Sequence, residues 1–92
     1  MQHKITKFQS QVYRIVKKIP RGQTRTYGEI ARKLKTSPRA VGQALKKNFN
    51  PEIPCHRVIG KNSLGGYNQG INKKIKLLKS EGVKIELERV VQ

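Results

Sequence analysis

With 92 residues, this chain carries 21 Lys+Arg against five acids, all glutamate (Glu29, Glu52, Glu81, Glu86, Glu88), a formal charge of +16. That length holds one domain, residues 1–92, and a domain this small takes only about 60–65% of its unfolded surface out of water, so function belongs on the surface or in a shallow pocket. No more than two apolar residues occur in a row, which excludes a membrane span and a signal-peptide core. One cysteine cannot form an internal disulfide and suits a reducing, cytoplasmic compartment. Cys55 with His3 and His56 is too small a set for a structural zinc site, so no metal is expected. A pI near 10.6 points to a polyanion, most often nucleic acid.

A hydrophobic share of 35% leaves disorder open, and periodicity answers it. Phe8, Val12, Ile15, Val16 and Ile19 fall on one face of a first helix. Thr6 with Gln9 forms a capping box at its start, and Pro20-Arg21-Gly22 ends it. A second capping box, Thr26 with Glu29, opens a short helix whose inner face is Tyr27, Ile30, Ala31 and Leu34. After the Lys35-Thr36 turn, Ser37-Pro38 supplies an N-cap and a first-turn proline for a third helix to about Lys47. Val41, Ala44 and Leu45 face inward there. Two short helices joined by a tight turn in so basic a chain fit a helix-turn-helix, or an ordinary helical hairpin.

Residues Asn48 to Gly70 read as one long irregular loop, rich in Gly, Pro and polar residues. A fourth helix places Ile71, Ile75 and Leu78 on one stripe and stops at Gly82. Val83, Ile85 and Leu87 alternate with Lys84, Glu86 and Glu88, the pattern of a half-buried terminal strand. The fold class is therefore mostly α: a winged-helix-like helix-turn-helix domain with a long active-site loop and a short terminal strand.

Chemistry concentrates in Ile53-Pro54-Cys55-His56-Arg57-Val58. Positive neighbours favour a thiolate, and an imidazole can remove the thiol proton. In extended backbone, however, adjacent side chains point to opposite faces. His56 then needs a turn or an intervening water to act on the sulfur. A lone cysteine can equally be a small buried hydrophobe.

Pro54-Cys55-His56-Arg57-Val58, following a helix-turn-helix and preceding Gly65-Gly66-Tyr67, resembles the O6-alkylguanine-DNA alkyltransferases. Phe8-Gln9 with Val12, Tyr27-Gly28 and Arg39-Ala40-Val41-Gly42 extend the resemblance from about Phe8 to Gly82. It implies a DNA-binding and catalytic domain standing alone, without the N-terminal domain of longer members. The implied function is repair of double-stranded DNA containing O6-alkylguanine: the base is flipped out and its methyl group passes once to Cys55, with no cofactor. The resemblance makes His56 the residue that activates Cys55 through a bridging water, and Glu81 the carboxylate that orients His56. Asn48 becomes the hinge asparagine, with Asn50 its rival because the stretch up to Cys55 is one residue short.

Tyr27 is implied to touch a phosphate and the extruded guanine, and Arg39 to fill the vacated stack. Leu45 and Tyr67 become pocket walls, the Cys55 and Val58 carbonyls guanine-edge acceptors, and Arg57 structural. Asn68-Gln69 stands where small residues are usual, which implies a tighter pocket rim and poorer acceptance of bulky alkyl groups. Gln43 and Lys46-Lys47 are larger and more basic than usual, in keeping with phosphate contacts. A monomer is expected, with clustering on DNA open. Two rivals remain: a non-transferring alkyltransferase-like lesion binder, whose members typically lack the cysteine, and a winged-helix regulator.

Overall fold

The computed structural model describes residues 5–87 and 89–91, so that His3 and Glu88 lie outside the described residues. Helix α1 (Lys7–Lys17) opens on the capping box: the Gln9 N–H donates to Thr6 Oγ1, and Gln9 Oε1 accepts from the Thr6 N–H, both at 3.0 Å. Strand β1 (Arg25–Thr26) runs directly into α2 (Tyr27–Leu34), and Thr26 serves both as strand residue and as N-cap. The turn to α3 (Pro38–Lys46) is made by Lys35 in the left-handed region (φ 55°), with Ser37 capping the new helix. Such a backbone costs a non-glycine residue about 1 kcal/mol. It lets the Thr36 N–H reach the Ala31 carbonyl at 2.9 Å.

Helices α1, α2 and α3 close around Val12, Val16, Ile30 and Val41, all at most 1% exposed. Tyr13 is also buried, one position off the expected stripe. Its hydroxyl donates to the Ala44 carbonyl at 2.6 Å and ties α1 to α3.

The stretch read as one irregular loop contains two short elements. A 3-10 turn, Cys55–Arg57, is followed by β2 (Val58–Ile59). This strand pairs in parallel with β1, Arg25 opposite Val58 and Thr26 opposite Ile59. Two-residue strands carry no period-2 pattern of their own, so only the tertiary pairing reveals them. Val58 packs into the core of the three helices, while Ile59 joins a second core with Leu64, Leu78 and Val83. The alternation of a strand thus joins the two.

Helix α4 (Ile71–Ser80) lies over the second core, and Gly82 (φ 87°) reverses the chain after it. The Gly82 N–H donates to the Lys79 carbonyl and the Val83 N–H to the Leu78 carbonyl, each at 3.0 Å. Two expectations are corrected here. Ile71 is 40% exposed, in the first turn beyond the core's edge, and Lys74 is buried on that face instead. The terminal segment is also a hairpin and not one strand: β3 (Ile85–Glu86) pairs antiparallel with β4 (Arg89–Val90). Val83 belongs to the helix reversal, and Leu87 (φ 51°) lies after β3, 88% exposed. Folding back lets both Ile85 and Val90 pack against the second core. No described helix is long and apolar enough to cross a membrane.

Candidate active site

A cavity of about 650 Å³ opens between the helix-turn-helix and the loop before α4, within the usual range for a small-molecule or base pocket. Tyr27 from α2, Arg39, Leu45 and Lys46 from α3, Cys55 from the 3-10 turn, and Tyr67 and Asn68 from the loop all line it. The backbone at Cys55 is a tight turn and not extended, yet the turn does not bring His56 onto the sulfur. The Arg57 N–H donates to the Pro54 carbonyl at 3.0 Å and the Val58 N–H to the Cys55 carbonyl, so neighbouring side chains splay around a helical turn.

Cys55 is 8% exposed, and its Sγ accepts a long hydrogen bond from Asn48 Nδ2 at 3.6 Å. Among the described residues no hydrogen bond joins His56 to the sulfur. His56 turns instead to Glu81, with Nε2 2.9 Å from Oε2. Arg57 takes the same carboxylate in a fork, Nε to Oε1 at 3.0 Å and Nη2 to Oε2 at 2.8 Å. Burial pushes the Glu81 carboxyl upward, but hydrogen bonds from Arg57 and His56 and their charges outweigh it and hold the group at about 2. A carboxylate can only accept, so in this contact His56 donates through Nε2.

Of the two candidate hinge residues, Asn48 is the one that reaches the sulfur. It is 5% exposed, and its Nδ2 also lies 3.4 Å from the carbonyls of Asn50 and Ile53. The Asn50 side chain is exposed and accepts from the Glu52 N–H at 2.9 Å. Asn68 makes a connection that its sequence position did not announce. Its Nδ2 donates to the Lys46 carbonyl at 3.2 Å and to the Asn48 carbonyl, which straps the pocket rim to the end of α3. Both partners are carbonyls, so the amide nitrogen must face them, and Oδ1 is left without a protein partner.

Tyr27 stands half-buried against the loop, its hydroxyl donating to the Gly66 carbonyl at 3.3 Å. Burial first, and the nearby Cys55 after it, push its phenol up. Tyr67 meets the edge of the His56 ring at 6.4 Å between centroids. Arg39, Lys46 and Lys47 are exposed on α3. Leu45 is buried in the cavity wall.

Val58 is expected to act through its carbonyl, and its side chain turns away from the cavity. It is fully buried and absent from the cavity lining, because β2 turns it into the core. Its carbonyl accepts from Lys74 Nζ at 2.6 Å. Lys74 is the residue that sequence reasoning missed. Fully buried, it also donates to the Gly66 carbonyl at 3.0 Å and lies 5.8 Å from the Tyr27 ring centre. Burial lowers its amine to about 8, against an opposing pull from Cys55. The available signal was a lysine on the same face as Ile71, Ile75 and Leu78. Among the described residues no three His, Cys or Glu side chains cluster as metal ligands.

Residues 7–83 match the family described as 6-O-methylguanine DNA methyltransferase, DNA binding domain. A methylated-DNA–protein-cysteine methyltransferase of Methanocaldococcus vulcanius is 55% identical over 85 residues, 91% of this chain and 53% of that protein. The chain thus spans about half the length of the curated relatives it matches. The crystal structure of O6-methylguanine-DNA methyltransferase from Pyrococcus kodakaraensis matches with a TM-score of 0.81 at 47% identity, over 86% of this chain and 48% of that one. That of S. pombe Atl1 with damaged DNA containing O6-carboxymethylguanine matches with a TM-score of 0.75 at 35% identity, over 91% of this chain and 83% of that one.

Proposed function

The chain belongs to the family of the 6-O-methylguanine DNA methyltransferase DNA-binding domain, and from that premise we propose that it repairs duplex DNA by moving the methyl group of O6-methylguanine onto its own Cys55. One observation carries the reading: a buried thiol on the cavity wall next in the chain to an imidazole that is held by a carboxylate. The O6 atom is inaccessible in a stacked duplex, so the nucleotide must leave the stack at a cost of a few kcal/mol. Arg39, at the cavity mouth in the first turn of α3, fills the gap. Tyr27 meets the rotated phosphate and the base. Leu45 and Tyr67 wall the base in, and the carbonyls of Cys55 and Val58 accept from its edge. The Val58 carbonyl keeps one lone pair for this beside Lys74. Asn48 supports the turn that carries the thiol, and Lys46 and Lys47 contact phosphates.

In the transfer, His56 Nδ1 takes the thiol proton through one bridging water, and Sγ attacks the methyl carbon in line with the C–O6 bond. That bond breaks, its electron pair passes to the guanine, and the proton held by His56 returns to guanine N1. The products are S-methylcysteine and guanine. A thioether has no leaving tendency at neutral pH, so each chain acts once and no cofactor takes part.

Mass spectrometry after incubation with a duplex containing one O6-methylguanine tests this. The Cys55 peptide gains one methyl group, and Cys55→Ala gains none while still binding the duplex. Transfer that survives in Cys55→Ala ends the reading. A second reading, a lesion binder that transfers nothing, is favoured by the likeness to Atl1. It predicts binding of the methylated duplex with no gain of mass at Cys55.

A further inference from the structure

Arg57 joins three parts of the chain. Its Nε and Nη2 hold both oxygens of Glu81 at the end of α4, and Nη1 donates to the Ile19 carbonyl after α1 at 2.8 Å. Glu81 Oε2 is shared: it takes Arg57 Nη2 at 2.8 Å and His56 Nε2 at 2.9 Å. Glu81 is therefore asked to do two things that conflict. It must orient His56, yet a lone carboxylate against an imidazole also stabilises the imidazolium, and an imidazolium cannot take a proton from a thiol.

We propose that Arg57 is a positioning residue whose charge, paired to Glu81, keeps His56 a proton acceptor for Cys55 while Glu81 orients it. The proposal rests on the transfer reading above. An opposite charge within hydrogen-bond reach shifts a titrating group by about 1–3 pH units. Pairing with Arg57 brings the carboxylate close to neutrality, so a second cation on His56 gains little. The fork also fixes the carboxylate plane, and the Ile19 carbonyl fixes the guanidinium.

No other described charge competes for this place. Arg21, from the turn after α1, donates through Nη2 to the Ser80 carbonyl at 3.1 Å. Lys79 on α4 is exposed. The other neighbours are the Tyr67 ring, at 74° to that of His56, and, at Cys55, the neutral amide of Asn48.

The test is the rate of methyl transfer against pH for the wild type, Arg57→Gln and Arg57→Lys, with an NMR titration of the His56 ring in unreacted protein. In Arg57→Gln the acid limb of the rate profile and the ring titration both move up by about one pH unit. The rate then falls on the acid limb, by about tenfold at its foot, and recovers on the alkaline plateau. Arg57→Lys keeps the charge but loses the fork, so its limb stays put under a smaller uniform loss.

A rate lowered by one factor at every pH makes Arg57 a structural tie only and overturns the proposal, as does an unmoved ring titration. If Arg57→Gln does not fold by circular dichroism, Arg57→Lys decides: a limb displaced by a full unit despite the retained charge also overturns it. A wild type that transfers no methyl group fails the transfer reading alone, and the ring titration still decides the coupling.

Discussion

Glu81 holds a negative charge at the C-terminal end of α4, the helix end that favours a cation, and its two partners decide how that charge behaves with pH. The carboxyl is held at about 2 in the folded chain, below its ordinary 4.5. Between those values the unfolded chain binds more protons, so the contribution of Glu81 to stability is complete above pH 4.5 and is lost as pH falls toward 2. Urea midpoints at pH 6, 4 and 3 should fall more steeply in the wild type than in Glu81→Gln; parallel lines refute the assignment. Gly65 offers a second check at single-residue scale. Its φ of +72° is costly for any side chain, and a Cβ there would lie 2.6 Å from Tyr27 Cε2. Gly65→Ala should cost about 1–2 kcal/mol by thermal melting, and should lower the transfer rate more than the binding of unmodified duplex, because the displaced ring is one wall of the base pocket.

Helix α3 separates two kinds of basic residue. Arg39 lies in its first turn at the cavity mouth and Lys46 in its last. Arg39→Ala should slow repair of a lesion in duplex DNA far more than in a single strand, which has no stack to fill. Lys46→Ala should weaken binding to any sequence and reduce the salt slope by about 1. Equal behaviour of the two variants on both substrates would make Arg39 a phosphate contact only.

The capping residues Thr6, Thr26 and Ser37 announced where the helices of this region begin, because a cap acts within three residues of its own position. The β1–β2 pairing was not legible. Neither were the burial of Lys74 and the strap made by Asn68, for each depends on a partner far along the chain. Cys55 and His56 stood out from local chemistry. Glu81 came only through resemblance, since nothing near it in the sequence shows which imidazole it faces. Leu87 misled because period-2 alternation cannot tell one strand from a hairpin whose turn falls on an apolar residue.

Over the whole molecule, the net charge of +16 is the feature through which the proposed encounter with DNA is tested. A footprint of about five phosphate contacts gives a log–log salt slope of roughly −4 to −5 for duplex DNA, and affinity that barely changes between low and moderate salt would refute a phosphate-dominated interface. The parallel pairing of β1 with β2 bears on the order of assembly. Helices form from near neighbours, whereas pairing residue 25 with 58, or closing Arg57 onto Glu81, waits for distant segments to meet. Because β1 runs directly into the helix-turn-helix and β2 directly out of the Cys55 turn, one closing event seats both the sulfur and the helices proposed to meet DNA. On the function proposed above, a chain that acts once carries its nucleophile ready only when the surface proposed to meet its target is already in place.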